Sequence, residues 1–173
     1  MLNIRHDLEK FGYVQLQNEL TLSELINLDE LSLINTEERN RDNNVNDLPN
    51  HINDKLKLAY VYLKEKYLNK EWPNNSFLKY TVWDGVDKDN QGWHTDMFES
   101  YDIFFLMYND DTYEETGGSI QFKWKEGESF KTKSFQPKKG DLFLLSNSRG
   151  FWHRAESTKI QRRVISFDYL TNE

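Results

Sequence analysis

Hydrophobic and polar positions follow two different patterns, and the change falls near residue 75. Before it, most apolar residues recur at helical spacing. Residues 2–11 read as a short amphipathic helix, and YVQLQN (13–18) alternates as a half-buried strand does. Thr21 followed by Glu24 forms a capping box that opens a helix with Leu22, Leu25, Ile26, Leu28 and Leu31 as its apolar set. Ile52, Leu56, Ala59, Tyr60, Leu63 and Tyr67 share one face and predict a further helix over about 52–68, with Pro73 beyond its end. Between these helices, NTEERNRDNNVNDLPN (35–50) is nearly devoid of apolar residues and is expected to be a mobile surface loop, a candidate lid.

After residue 75 the pattern becomes short β-rich runs: SFLKYTVW, GWHTD, YDIFFLMYN, GSIQFKW, SFKTKSF, GDLFLLSN, FWHRAE and RRVISFDYL. Turn signals separate them, among them Asp84-Gly85, Gly117-Gly118, Glu126-Gly127 and Lys139-Gly140. About eight short strands after a helical half predict a mostly β protein with flanking helices. The expected architecture is a double-stranded β-helix, or jelly roll, with N-terminal helices packed on one sheet. At 173 residues the chain fits one domain: residues 1–75 as helical support and 76–173 as a jelly-roll core.

Composition narrows the chemistry. Aromatic residues make up 14% of the chain, so the core is aromatic rather than aliphatic. With no cysteine, a thiol nucleophile and every thiolate metal site are excluded, and any metal ligands must be His, Asp or Glu. The net charge of -7 lacks the basic surplus that phosphate-backbone binding requires, which argues against nucleic acid as the main partner. No stretch approaches the length of a membrane span, and the first ten residues, MLNIRHDLEK, carry charges throughout, so the expected setting is cytoplasmic.

Only four histidines are present: His6, His51, His94 and His153. The first two fit ordinary surface roles. On a strand, His94 and Asp96 of GWHTD would point to one face while Thr95 points away, so both could reach one ion. A His-x-Asp triplet by itself is weak evidence, since surface strands often carry such residues. His153, in SRGFWHRAE, is the third candidate, and two histidines with one carboxylate form the facial triad of non-haem Fe(II) oxygenases.

The ordered motifs resemble the Fe(II)/2-oxoglutarate-dependent dioxygenases, in particular their prolyl 4-hydroxylase-like branch. LKYTVWDG precedes the metal motif GWHTD, ETGGSIQF resembles the family's Gly-Gly turn into a strand, QPKKGDLFLLSN its turn into a core strand, and WHRAE brings the distal histidine ahead of RRVISFDYL. The resemblance covers roughly residues 76–170, with a weaker echo in LEKFGYVQLQNELTLSEL. It implies His94, Asp96 and His153 as iron ligands, and an arginine shortly after the distal histidine that clasps the distal carboxylate of 2-oxoglutarate. Arg162 and Arg163 both qualify by position. Strand alternation puts Arg162, Val164, Ser166 and Asp168 on one face and Arg163, Ile165, Phe167 and Tyr169 on the other. The more apolar set should pack against helices, which leaves Arg162 inside and favours it.

Tyr80 and Ser166 are further candidates for cosubstrate contact, with a plain core tyrosine as the alternative for Tyr80. Where many members carry a hydroxyl two residues after the arginine, this chain has Val164, a departure from the family's finer contacts. The resemblance implies Fe(II), 2-oxoglutarate and dioxygen as the reaction's requirements, leaves room for ascorbate as a reductant, and implies a hydroxylase releasing succinate and carbon dioxide. Halogenating members lack the carboxylate that Asp96 supplies here. The substrate would be a small molecule, an amino acid or a peptidyl residue. Two rival readings are a cupin-like metal enzyme that uses no 2-oxoglutarate and a non-catalytic jelly-roll binding module.

Residues 123–139 hold six lysines against two glutamates, and their alternation with Phe122 and Trp124 reads as a solvated sheet face. Trp93 and Trp152 each precede a proposed ligand, and alternation points them away from the histidines, towards core packing. NDDTYEE (109–115) reads as a hairpin loop.

Overall fold

The structure is a computed structural model. It describes residues 4–17, 40–44, 54, 58, 62, 78–83, 92–95, 101–108, 110–146, 150–160, 162 and 164–170; at 5, 40–44, 78–83, 101–104 and 165–170 it describes the backbone alone. The elements run α1 (Ile4–Phe11), β1 (Tyr13–Leu16), β2 (Asn40–Asn44), β3 (Leu78–Trp83), β4 (Tyr101–Tyr108), β5 (Ile120–Glu126), β6 (Ser129–Phe135), β7 (Leu142–Ser146), β8 (Phe151–Ala155) and β9 (Val164–Leu170). No helix among the described residues is long and apolar enough to cross a membrane.

The strands form two antiparallel sheets, one of six strands in the order β1-β7-β4-β9-β3-β2 and one of three in the order β6-β5-β8. Alternation decides what faces what. Tyr13, Leu106, Tyr108, Phe143, Leu145 and Val164 of the large sheet meet Ile120, Phe122 and Trp124 of the small one in a single buried cluster. The Tyr13 and Phe122 rings stack across it at 4.2 Å. The opposite row of the large sheet, with Phe105, Met107, Leu142 and Leu144, has 0% exposure, so both faces of its central strands are covered. A sheet covered on both faces reads as a continuous apolar run, and FFLMY and LFLL are such runs.

α1 buries Leu8 and packs along β1 and β7. Gly12 makes the sharp exit from it, with φ 79° and the Phe151 ring where a Cβ would stand. Asp54, Leu58 and Tyr62 are helical, and Leu58, which belongs to no position of the predicted apolar face, is exposed. The helix expected after Thr21 lies outside the described residues.

The region expected to be a mobile loop contains β2, paired residue for residue with β3 from Asn40↔Trp83 to Asn44↔Lys79. Its sequence NRDNN carries no apolar alternation because a strand at the edge of a sheet is held by its ladder bonds and needs no buried face. GWHTD differs in the other direction: its described residues, 92–95, form no strand, and among them His94 makes an isolated bridge.

Candidate metal and carboxylate site

His153 is the middle residue of β8 and stands opposite Phe122 of β5, whose side chain is in the inter-sheet core. His153 therefore shares that inward row. His94, 59 positions earlier by subtraction of the residue numbers, is held beside it by two backbone hydrogen bonds, His94 N to His153 O at 3.1 Å and His153 N to His94 O at 2.9 Å. The bridge adds the His94 segment to the outer side of β8.

The imidazole centroids are 4.4 Å apart with the rings inclined at 59°. Imidazole nitrogens bind a first-row ion at about 2.1 Å, so two that share an ion lie no more than about 4.2 Å apart. Rings with centroids 4.4 Å apart are close enough for one nitrogen of each to come within that range. His94 Nδ1 lies 2.7 Å from the Gly92 carbonyl oxygen. A carbonyl only accepts, so Nδ1 carries the hydrogen and the neutral ring keeps its lone pair on Nε2, the arrangement that metal-binding histidines use. Both rings are half-buried.

Asp96, the expected carboxylate, lies outside the described residues. Among the described residues, no group of three or more His, Asp or Glu side chains that could hold a metal comes together. The two histidines and their chemistry fit a transition-metal ion.

Arg162 precedes β9 and is buried, with 4% exposure. Its Nη1 donates to the Glu156 carbonyl at 3.4 Å. Val164, two residues on, is in the inter-sheet cluster, so the row of Val164 and Ser166 faces the small sheet as alternation predicts. Arg163 lies outside the described residues.

Beside Arg162 is a residue that the sequence reading overlooked, Tyr108. It is fully buried, and burial pushes its hydroxyl up to about 12, partly offset by the Arg162 charge. Within the run FFLMY nothing distinguishes this tyrosine from core filler; only the pairing Tyr108↔Val164 brings it to the arginine.

Tyr80 stands elsewhere. In the register it opposes Phe167, which opposes Phe105, whereas Ser166 opposes Thr81 and Leu106. Tyr80 thus belongs to the row that does not face the small sheet, one residue out of step with Ser166. The side chains of Tyr80 and Ser166 are not among those described.

Trp93 and Trp152 point away from the histidine row, as expected, but into a half-buried cluster on the outer face of the small sheet rather than into the core. Lys123 Nζ lies 4.8 Å from the Trp93 centroid, 5.0 Å from Trp152 and 5.6 Å from Phe130. The Arg154 guanidinium covers Trp93 at 4.6 Å.

No family model and no curated protein matches the chain. Solved structures do. A Pseudomonas putida prolyl-4-hydroxylase matches with a TM-score of 0.69 at 10% identity, over 98% of each chain. The chain has the fold of the prolyl 4-hydroxylases. A 2OG-Fe(II) oxygenase family oxidoreductase from Burkholderia pseudomallei matches at 0.69 and 14% identity, over 97% of this chain and 88% of that one. A Trichoplax adhaerens prolyl hydroxylase, solved with a hypoxia-inducible-factor peptide fragment, matches at 0.67 and 13% identity, over 96% and 87%.

Proposed function

We propose that this chain is an Fe(II)- and 2-oxoglutarate-dependent oxygenase that oxidises a C–H bond, most simply by hydroxylation, in a small molecule, an amino acid or a peptidyl residue. The observation that carries the reading is the pairing of His94 with His153, ring to ring, on the inward row that also leads to buried Arg162. The jelly-roll assignment is part of the proposal. From β3 onward the chain visits the large and small sheets in alternation except for the β5–β6 hairpin within the small sheet, with the His94 segment between β3 and β4 and β8 between β7 and β9, as a double-stranded β-helix does.

In this reading His94, Asp96 and His153 hold Fe(II), which together with 2-oxoglutarate and dioxygen supplies the oxidation of the C–H bond while succinate and carbon dioxide leave. Arg162 receives the distal carboxylate of 2-oxoglutarate through its paired N–H donors. Burial makes that partner important, because a guanidinium taken from water is costly unless a charge compensates it. Tyr108 stays protonated throughout the neutral range and can donate its hydroxyl hydrogen to the same carboxylate. Ile120, Phe122 and Val164 surround this region with apolar surface and keep water from it. Tyr80 and Ser166 remain proposed cosubstrate contacts, with Ser166 opposite Leu106 and Tyr80 opposite Phe167 in the register.

The test is an anaerobic titration of 2-oxoglutarate into Fe(II)-loaded protein, following the visible charge-transfer band of the chelate. The band should form in wild type, disappear in His94→Ala and require at least about 100-fold more ligand in Arg162→Ala, the loss of a buried charge-assisted pair. Folded, metal-loaded wild type that shows no band would overturn the cosubstrate reading and favour a metal enzyme that works without it.

A further inference from the structure

We infer that Lys123 and Arg154 are positioning residues for the two-histidine site and act on it through Trp93. The inference rests on the metal reading of His94 and His153 given above, and it explains how a segment with so little secondary structure can present a ligand. His153 is built into β8, with a full ladder to β5. His94 stands in an isolated two-bond bridge, with its ring against the Gly92 carbonyl. Because the described residues beside it, 92, 93 and 95, belong to no strand, side chains next to His94 add to what holds its orientation.

Trp93 supplies that contact on the opposite side of the backbone. Its indole is approached by the Lys123 ammonium at 4.8 Å and the Arg154 guanidinium at 4.6 Å. Both cations are themselves fixed. Lys123 also lies against Trp152 and Phe130, whose rings meet edge to face at 5.5 Å. Arg154 Nε donates to Gln121 Oε1 at 2.7 Å, and Gln121 Nε2 donates in turn to Glu156. Lys123 and Gln121 project from rigid β5, so the cluster ties the His94 segment to the strand next to β8 by aromatic attraction where ladder bonds are missing.

The electrostatic alternative makes the opposite prediction, which gives the test its sign. A lysine acting on the site only through its charge repels a divalent cation, and neutralising it would tighten metal binding. A lysine that positions His94 through Trp93 weakens binding when it is removed.

Cobalt(II) is titrated anaerobically into the full-length protein and followed by its visible d–d absorption. In the metal-free protein the His94 Nδ1 proton is followed by NMR as a slowly exchanging imidazole resonance. Lys123→Met and Trp93→Ala should each weaken cobalt binding about tenfold, the scale of a lost ligand-orienting contact, and broaden or remove the imidazole resonance. Lys123→Arg, which keeps a cation over the ring, should restore both, and Lys131→Met, an equal charge loss on exposed β6, should alter neither. Tighter or unchanged cobalt binding in Lys123→Met with the resonance intact overturns the proposal. If wild type binds no cobalt, the metal reading itself fails, and the imidazole resonance in Trp93→Ala alone decides whether the cluster orients His94.

Discussion

Single residues in the inter-sheet core have very unequal expected effects. Phe122 stacks on Tyr13 and stands opposite His153, and Phe122→Ala should cost about 3–5 kcal/mol in urea unfolding, because a large ring is removed from a fully packed site. Trp124, two residues along the same row, should be more tolerant. Its Nε1 is a buried donor with no hydrogen-bond partner among the described residues, a state that costs roughly 1–3 kcal/mol. Replacing it as Trp124→Phe removes that donor along with some packing, and the same measurement should place the variant within about 1 kcal/mol of wild type. Tyr108 gives the pH prediction. Its hydroxyl ionises in the folded state only near 12, against 10.0 for the ordinary group, so the folded form holds its proton more tightly than the unfolded chain does. The contribution to stability is complete below about pH 10 and is lost as pH rises from there to about 12, to the extent of roughly 2–3 kcal/mol. Denaturant unfolding of wild type and Tyr108→Phe over that range should show the wild type losing stability faster with rising pH. Parallel curves would contradict the burial argument.

At the scale of elements, the junctions add to the hold of the strand ladders around the site. Gly117 and Gly118 have φ of 75° and 84°, and a Cβ on Gly117 would stand 2.3 Å from the Ser157 carbonyl oxygen. The pair brings the loop after β4 against the segment following β8, where Gly118 N donates to Ser157 O at 2.8 Å. Gly117→Ala should therefore destabilise by about 1–3 kcal/mol, seen as a lower melting temperature. The acidic stretch expected as a plain hairpin loop is pinned on its far side too. Lys139 N donates to Asp111 Oδ1 at 2.8 Å, and Lys138 Nζ donates to Thr112 O at 2.8 Å while it covers the Tyr113 ring at 3.8 Å. The backbone donor and the Tyr113 hydroxyl hold Asp111 below the ordinary carboxylate range, so this contact is present above that range and is lost as pH falls. β2 is the other element with a clear test. If NRDNN is paired as in the structure, the amides of residues 40–44 that face β3 should exchange with deuterium well below the rate of an unstructured polar loop.

For the molecule as a whole, the division between what the sequence determined and what the tertiary structure decided follows from the range of the interactions. Period-two alternation and Gly-containing turns are local, and they placed β3 to β9 within a few residues, down to the full extent of SFKTKSF as β6. Alternation along RRVISFDYL likewise placed the row of Arg162 inward, because the face of a strand is set by a count of two along one stretch of chain. Local spacing pairs His94 with Asp96 alone, and it is the resemblance of the ordered motifs that joins distant His153 to them. The pairing of β8 with β5 and the long-range bridge between residues 94 and 153 bring the two histidines together. The same dependence on distant partners explains the differences. A polar edge strand leaves no hydrophobic trace, Tyr80 and Ser166 fall in different rows only once β3 and β9 pair in one register, and Tyr108 acquires a role only through its place beside Arg162. Alternation points Trp93 and Trp152 away from the histidines and towards core packing, whereas the structure sets them half-buried beside lysine and arginine on the outer face of the small sheet. Which cation lies over which ring is set by contacts between strands, and these form only when the sheets assemble.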